Sequence, residues 1–99
     1  MKNKNREHLL RYVLNALEQH EFMSYQEIVD DIEYRQNISL DCYDIPTTAV
    51  KGVILDYGIY ANGEVPKRYN GESPLFIAND QKETQNRNVE QIKWKKINY

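Results

Sequence analysis

Residues 45–60 read IPTTAVKGVILDYGIY and carry the strongest structural signal in the chain. Pro46 disfavours helical geometry in the residue before it, so a helix can begin there with Thr47 or Thr48 as its cap. Apolar residues at helical spacing then predict one buried face: Val50, Val53, Ile54 and Tyr57, flanked by Leu55. Gly58 follows where a left-handed residue commonly ends a helix. The stretch therefore predicts a short, packed helix.

Two amphipathic helices are predicted before this stretch. In residues 5–20 the apolar side chains lie at helical spacing: Leu9, Leu10, Val13, Leu14 and Leu17. A second helix opens at Ser24, because Ser24 and Glu27 match a capping box, while Met23 and Ile28 form the matching hydrophobic staple. Its buried stripe is predicted to be Tyr25, Ile28, Val29 and Ile32.

The connection in residues 35–46 has no clear periodicity. Its apolar residues are expected to point inward as anchors: Ile38, Leu40, Cys42 and Ile45. Cys42 is the one cysteine of the chain, which excludes an intrachain disulfide and suits a reducing cytoplasm. It has no evident base or basic neighbour to lower its pKa, so a packed small hydrophobe is expected rather than a nucleophile.

Two strands are predicted after the helix of residues 45–60. Residues 59–61 and 74–77 favour strands, and the turn-rich residues 62–71 between them include Lys67 and Arg68. This pattern predicts a β-hairpin with a basic loop at its tip.

The last 21 residues divide into a polar and an apolar part. Residues 79–88 are polar and predict a linker, after which apolar residues return at Val89, Ile92, Trp94, Ile97 and Tyr99. A strand or extended tail is favoured there, with a helix as the alternative. Trp94 is expected to dock back onto the domain. The predicted division is therefore a domain in residues 1–78 and a linker with a docking tail in residues 79–99.

Charge is distributed unevenly, although the net charge is only −2. Both ends of the chain are basic, whereas residues 18–44 carry eight carboxylates against one basic residue, Arg35. Most of these carboxylates are expected to solvate helix surfaces. Four of them on the second helix form a candidate protein-binding face: Glu27, Asp30, Asp31 and Glu33. Asp30, Asp31 and Glu33 are predicted to face outward.

No pattern in the sequence indicates an enzyme. A glycine-rich phosphate loop, paired Cys/His ligand spacing and a nucleophile with a plausible base are all missing from the sequence. We therefore expect no catalytic residue, no metal and no cofactor. No apolar run approaches the ~18 residues of a membrane helix. We therefore expect a cytoplasmic location and no membrane partner.

The order helix, capped helix, connection, helix and β-hairpin in residues 5–78 resembles the winged-helix branch of the helix-turn-helix superfamily. The resemblance implies an α+β fold: three helices, a small antiparallel β-hairpin wing, and a C-terminal strand or extended tail. It implies that the third helix enters the major groove of duplex DNA, with Thr47, Thr48 and Lys51 at its groove-facing start. The residues implied at the wing tip are Lys67, Arg68, Tyr69 and Asn70.

Two functions follow as hypotheses. The first is a small DNA-binding protein, a transcriptional regulator of microbial or phage origin, which could act as a homodimer. The second is a non-enzymatic adaptor or inhibitor, for example phage-encoded, that binds another protein through the acidic second helix. The same scaffold serves both kinds of contact, so the fold alone does not decide between them.

Overall fold

Three helices lie against a three-stranded sheet in the computed structural model, which describes residues 2–19, 21–71, 73–79 and 92–97. The helices are α1 (Lys2–Ala16), α2 (Tyr25–Asp30) and α3 (Pro46–Tyr57). The strands are β1 (Gly58–Ile59), β2 (Phe76–Ala78) and β3 (Trp94–Lys96). A 3₁₀ turn at Leu17–Gln19 extends α1, and a π-helical segment at Asp31–Arg35 extends α2. The predicted α+β class is confirmed.

The first helix is amphipathic as predicted, but it begins before residue 5 and is regular only to Ala16. Leu9, Val13 and Leu17 are fully buried, while Leu10 and Leu14 are only partly buried. The three buried leucine and valine positions recur every four residues, so they define the centre of the face that packs on the core.

The predicted capping box at the start of α2 is confirmed. Ser24 Oγ accepts a hydrogen bond from the backbone N–H of Glu27 at 3.1 Å, and Glu27 Oε1 accepts one from the backbone N–H of Ser24 at 2.8 Å. The predicted stripe is buried in full: Tyr25, Ile28, Val29 and Ile32. Met23, before the cap, packs partly buried against the same core.

The connection between α2 and α3 has fewer anchors than predicted. Leu40 is buried and Ile38 is partly buried, but Cys42 is exposed and Ile45 is 58% exposed. The prediction that Cys42 and Ile45 point inward is therefore wrong. Residues 41–45 form successive turns, beginning where the N–H of Tyr43 donates to the carbonyl of Leu40, and these turns carry both side chains outward.

The start of α3 differs from the prediction, since neither Thr47 nor Thr48 caps it. Ile45 occupies the cap position without a side-chain hydrogen bond, and Pro46 is the first helical residue. Proline fits this position because its missing N–H would have no intrahelical partner there. The backbone N–H of Thr48 donates to the carbonyl of Ile45 at 3.0 Å.

The end of α3 depends on packing rather than on a left-handed turn. Gly58 has φ −113° and ψ 161°, which is extended, so the prediction of a left-handed residue is wrong. A Cβ at Gly58 would lie 2.7 Å from the carbonyl oxygen of Ile54 and 2.7 Å from Cζ3 of Trp94. Gly58 is therefore required because the Trp94 ring fills the space that a side chain would occupy.

The sheet corrects the predicted hairpin. β1 and β2 pair in parallel, with Gly58 opposite Phe76 and Ile59 opposite Ile77. The chain returns from residues 60–75 to the beginning of β1, where the N–H of Leu75 donates to the carbonyl of Tyr57 at 2.7 Å. Because β2 begins beside the start of β1, the two strands must run in the same direction.

The antiparallel pair is formed by β2 and β3, with Ala78 opposite Trp94 and Phe76 opposite Lys96. An isolated antiparallel bridge adds Met23 on the other side of Trp94. The predicted C-terminal strand is thus present, and Trp94 is fully buried in the same core as the helices. Most of the predicted linker, residues 80–88, together with Val89 and Tyr99, lies outside the described residues.

Candidate functional site

A cleft of about 290 Å³ lies between the start of α2 and the first turns of α3. One wall consists of Ser24, Tyr25 and Gln26, and the other consists of Thr47, Thr48 and Lys51. The three residues of α3 predicted to contact DNA therefore line a single site.

The buried face of α3 determines which side chains reach this cleft. Val50, Val53 and Ile54 point into the core, so the first turns present their remaining residues to α2. Thr47 and Lys51 are four residues apart and share one helical face; both are half-buried, whereas Thr48 is exposed. Within the described part of the chain, the hydroxyls of Thr47 and Thr48 have no hydrogen-bond partner.

The N-terminal end of α3 carries the partial positive charge of a helix start. No acidic residue lies in its first turn, and no side chain caps it, so the partial positive charge of the helix start is not offset there. The nearest carboxylate along the chain, that of Asp44, precedes the helix and is exposed. The ammonium group of Lys51 adds a full charge to this end.

The carboxylate of Glu27, on the α2 side, is already engaged. The hydrogen bond from the backbone N–H of Ser24 is the main cause that lowers the pKa of Glu27, and Lys93 contributes to the same shift. Lys93 Nζ lies 3.7 Å from Glu27 Oε1. Glu27 therefore stays ionised at neutral pH, with its charge partly offset by these two partners.

Several other basic residues are engaged in contacts within the chain. Ion pairs join Arg35 to Asp31 at 2.6 Å, Arg68 to Asp56 at 3.0 Å and Lys96 to Glu18 at 2.7 Å. Lys95 Nζ lies 4.9 Å from the centroid of the Phe22 ring. By contrast, Lys51 and Lys67 form no ion pair with any described residue.

The residues predicted for a wing tip lie at the other end of α3. Arg68 Nε donates to Asp56 Oδ1 at 3.0 Å, and the backbone N–H of Asn70 donates to the carbonyl of Asp56 at 3.0 Å. Tyr69 is half-buried and Lys67 is exposed in the same connection. At 1.5 Å per residue, Asp56 lies about 13 Å along the helix axis from Thr47. None of these four residues lines the cleft.

The acidic residues of the second helix do not form one open face. The side chain of Asp31 is only 8% exposed and accepts hydrogen bonds from Arg35 and Gln36. Those two side chains also reach the carbonyl oxygens of Asn15 and Tyr12, at 2.9 and 3.0 Å. The prediction that Asp31 faces solvent is wrong, because its carboxylate fastens the end of this helix to α1.

The remaining acidic residues are placed differently from one another. Asp30 is exposed and accepts a hydrogen bond from Gln26 Nε2 at 2.9 Å, whereas Glu33 is half-buried. Glu27 is exposed but belongs to the capping box. Asp30 is thus the most accessible of the four, since it combines exposure with a single contact from its own helix.

The α2 wall of the cleft was not predicted as part of a site. The capping-box pattern located the start of α2 at Ser24, and this signal is present in the sequence. That Tyr25 and Gln26 face α3 follows from the packing of the two helices, for which the sequence contains no local signal.

Three further observations concern the chain as a whole. Among the described residues, no three His, Cys, Asp or Glu side chains are grouped in a way that could hold a metal ion. No helix in that part of the chain is both long enough and apolar enough to cross a membrane. No family of known proteins, no curated protein and no solved structure matches the chain.

Proposed function

We propose that the chain is a small DNA-binding protein that contacts duplex DNA through the cleft between α2 and α3. The observation that carries this proposal is the convergence of Thr47, Thr48 and Lys51 on one wall of that cleft. Lysine and threonine are among the side chains that contact DNA phosphates, and threonine also contacts base edges. The unpartnered hydroxyls are available for such contacts.

Local electrostatics support DNA at this end of α3 despite the net charge of −2. The uncapped helix start and Lys51 place positive potential on the cleft, and the first turn of α3 contributes no carboxylate. A phosphate approaching from this side therefore meets an attractive field even though the whole chain is weakly acidic.

The sheet contains an antiparallel strand pair, as a winged-helix scaffold requires, but not at the position predicted for the wing. A wing connects two antiparallel strands, and the strands that meet this condition are β2 and β3. The bridge from Met23 to Trp94 adds a third antiparallel neighbour between α1 and α2. The strands on either side of residues 62–71 run parallel, so those residues do not form the predicted wing, and the antiparallel pair is joined instead by the connection between β2 and β3. Lys82 and Arg87 belong to that connection but lie outside the described residues.

The proposal is tested by titrating labelled random-sequence duplex DNA with the protein and measuring fluorescence anisotropy. The expected result is affinity that falls steeply as salt rises from about 50 to 200 mM. Lys51→Ala should weaken binding roughly tenfold, because a charge-assisted phosphate contact is lost. Arg68→Ala is the matched control and should bind like the wild type. Wild-type protein that binds no DNA at the lowest salt would contradict the proposal.

A second candidate is a protein-binding adaptor or inhibitor, and one observation favours it. Tyr34 is 79% exposed on the π-helical segment, directly after Glu33 and within about one turn of the exposed Asp30. An exposed tyrosine among carboxylates suits a contact with a basic protein surface.

This alternative is tested by affinity capture with a matched pair of charge reversals. A partner retained by the wild type and by Glu64→Lys, but lost with Asp30→Lys, would support the alternative. Equal retention by all three proteins would exclude the second helix as the binding face.

A further inference from the structure

Tyr25 belongs both to the cleft and to the buried core. The residue lines the cleft beside Ser24 and Gln26, yet it is only 4% exposed. Its hydroxyl accepts a hydrogen bond from Trp94 Nε1 at 3.0 Å, across 69 residues of sequence. Tyr25 therefore links the cleft wall, of which it is part, to β3.

The backbone adds two more links between β3 and the start of α2. The N–H of Met23 donates to the carbonyl of Trp94 at 2.8 Å, and the N–H of Trp94 donates to the carbonyl of Met23 at 2.9 Å. Met23 is two residues before Tyr25, so Trp94 holds this short segment at both its backbone and its side chain. Trp94 therefore fixes the start of α2 against β3.

The hydroxyl of Tyr25 is the acceptor for the buried indole N–H of Trp94. Phenylalanine would fill the same apolar space, but it would leave the buried N–H of Trp94 without an acceptor. Burial, the largest cause, raises the pKa of Tyr25 to about 12, so the hydroxyl keeps its proton at neutral pH. Tyr60 also contacts the indole, with ring centroids 5.7 Å apart, but it does not line the cleft.

We propose that Tyr25 is a positioning residue for the cleft, which acts through its hydrogen bond to Trp94 rather than by touching DNA. This inference rests on the proposed function. It means that the strand pair β2–β3 and the cleft move as one unit, so DNA bound in the cleft alters the environment of the Trp94 indole. The chain contains a single tryptophan, so one indole N–H resonance reports on this contact.

The test compares Tyr25→Phe with Tyr60→Phe, which also removes a hydroxyl beside the same indole. In ¹⁵N-labelled protein without DNA, Tyr25→Phe should shift the indole resonance and speed its exchange with solvent. On saturation with duplex DNA the wild-type indole resonance should move again. Tyr25→Phe should weaken DNA binding roughly threefold to tenfold without changing its salt dependence, because no phosphate contact is removed. Tyr60→Phe should bind like the wild type.

The outcomes separate this inference from the proposed function. Wild-type binding with a stationary indole resonance, or equal affinity in Tyr25→Phe, overturns the positioning role and leaves DNA binding intact. No binding by the wild type overturns both. Thermal unfolding of each variant shows whether the protein is folded, and titration to saturation gives the active fraction, so a loss of folded protein is distinguished from a loss of affinity.

Discussion

The start of α3 and the residues predicted as a wing tip, which lie near the other end of α3, were both predicted to contact DNA, yet their surroundings differ. At the N-terminal end, Lys51 forms no ion pair with a described residue and faces a cleft. At the C-terminal end, Arg68 is paired with Asp56, and Gly58 lies against the Trp94 ring. The first end presents polar groups to a cleft, whereas the second is closed by packing and by an ion pair.

This difference shows that basic residues of similar appearance in a sequence can have different roles. The availability of a cation depends on the carboxylates that the fold brings near it, and Asp56 is twelve residues from Arg68 in the chain. Four predictions follow from the contrast: the first and the last concern the packed end, and the second and third concern the α2 wall of the cleft.

The largest effect is expected at the packed end, from Gly58→Ala. The new Cβ would lie 2.7 Å from both the Ile54 carbonyl oxygen and the Trp94 ring, so backbone and core must shift. We expect a loss of about 3 kcal/mol in the free energy of unfolding, measured by urea denaturation. Gly63→Ala is the control: its Cβ meets nothing, and only the φ of +91° should cost about 1 kcal/mol. Equal losses in both variants would show that Trp94 does not occupy the space beside Gly58.

The second-largest expected effect is a loss of stability at alkaline pH, caused by Tyr25 in the α2 wall of the cleft. The folded-state pKa of Tyr25 is about 12 against 10.0 for the ordinary side chain, chiefly because the residue is buried. The folded protein thus holds this proton longer than the unfolded chain does. The contribution, about 2.7 kcal/mol for a shift of two pKa units, is fully present below pH 10 and is lost as pH rises through 12.

Urea unfolding at several pH values between neutrality and about 11.5 measures this loss. Tyr25→Phe should remove most of the decline. A smaller decline should remain, because burial also raises the pKa of Tyr60. An identical pH dependence in the wild type and in Tyr25→Phe would refute the assignment.

A smaller effect is expected from Ser24→Ala at the same wall. The substitution removes the oxygen that accepts from the Glu27 N–H at 3.1 Å, and it should lower the free energy of unfolding by about 1 kcal/mol. Ser24→Thr retains the hydroxyl and should restore most of that loss in a thermal melt. If alanine and threonine behave alike, the capping bond does not stabilise α2.

The smallest effect is expected from Arg68→Ala at the packed end. The guanidinium side chain is 50% exposed, so its pair with Asp56 should contribute no more than about 0.5 kcal/mol to stability. DNA affinity should change less than twofold, because Arg68 does not line the cleft. A tenfold loss of affinity would instead place the C-terminal end of α3 on the DNA.

Local patterns in the sequence were sufficient for several elements. The spacing of Leu9, Val13 and Leu17 gave the buried face of α1, and the Ser24–Glu27 pattern gave the start of α2. These signals depend on residues three or four apart, for which helix geometry alone determines which side chains are neighbours. Alternation around Ile92 and Trp94 likewise favoured the C-terminal strand, which is present.

Long-range contacts account for the predictions that were wrong. Nothing near residues 59–77 indicates that the chain returns to the start of β1, so the parallel pairing of β1 with β2 could not be foreseen. Gly58 had the signature of a left-handed helix end, yet it is needed because Trp94, far along the chain, packs against it. The local sequence around Asp31 is typical of a surface carboxylate. Its exposure is low because its partners, Arg35 and Gln36, also donate to carbonyl oxygens of α1.

The most direct test of the central claim compares Lys51, on the cleft wall, with Lys67, in the connection near the C-terminal end of α3; neither forms an ion pair with a described residue. Affinity for duplex DNA is measured over a range of salt concentrations for the wild type, Lys51→Ala and Lys67→Ala. Each phosphate contact contributes about 0.9 to the slope of log affinity against log salt. We predict a slope reduced by about 0.9 in Lys51→Ala and unchanged in Lys67→Ala. A reduced slope in Lys67→Ala with an unchanged slope in Lys51→Ala would contradict the assignment of DNA to the cleft.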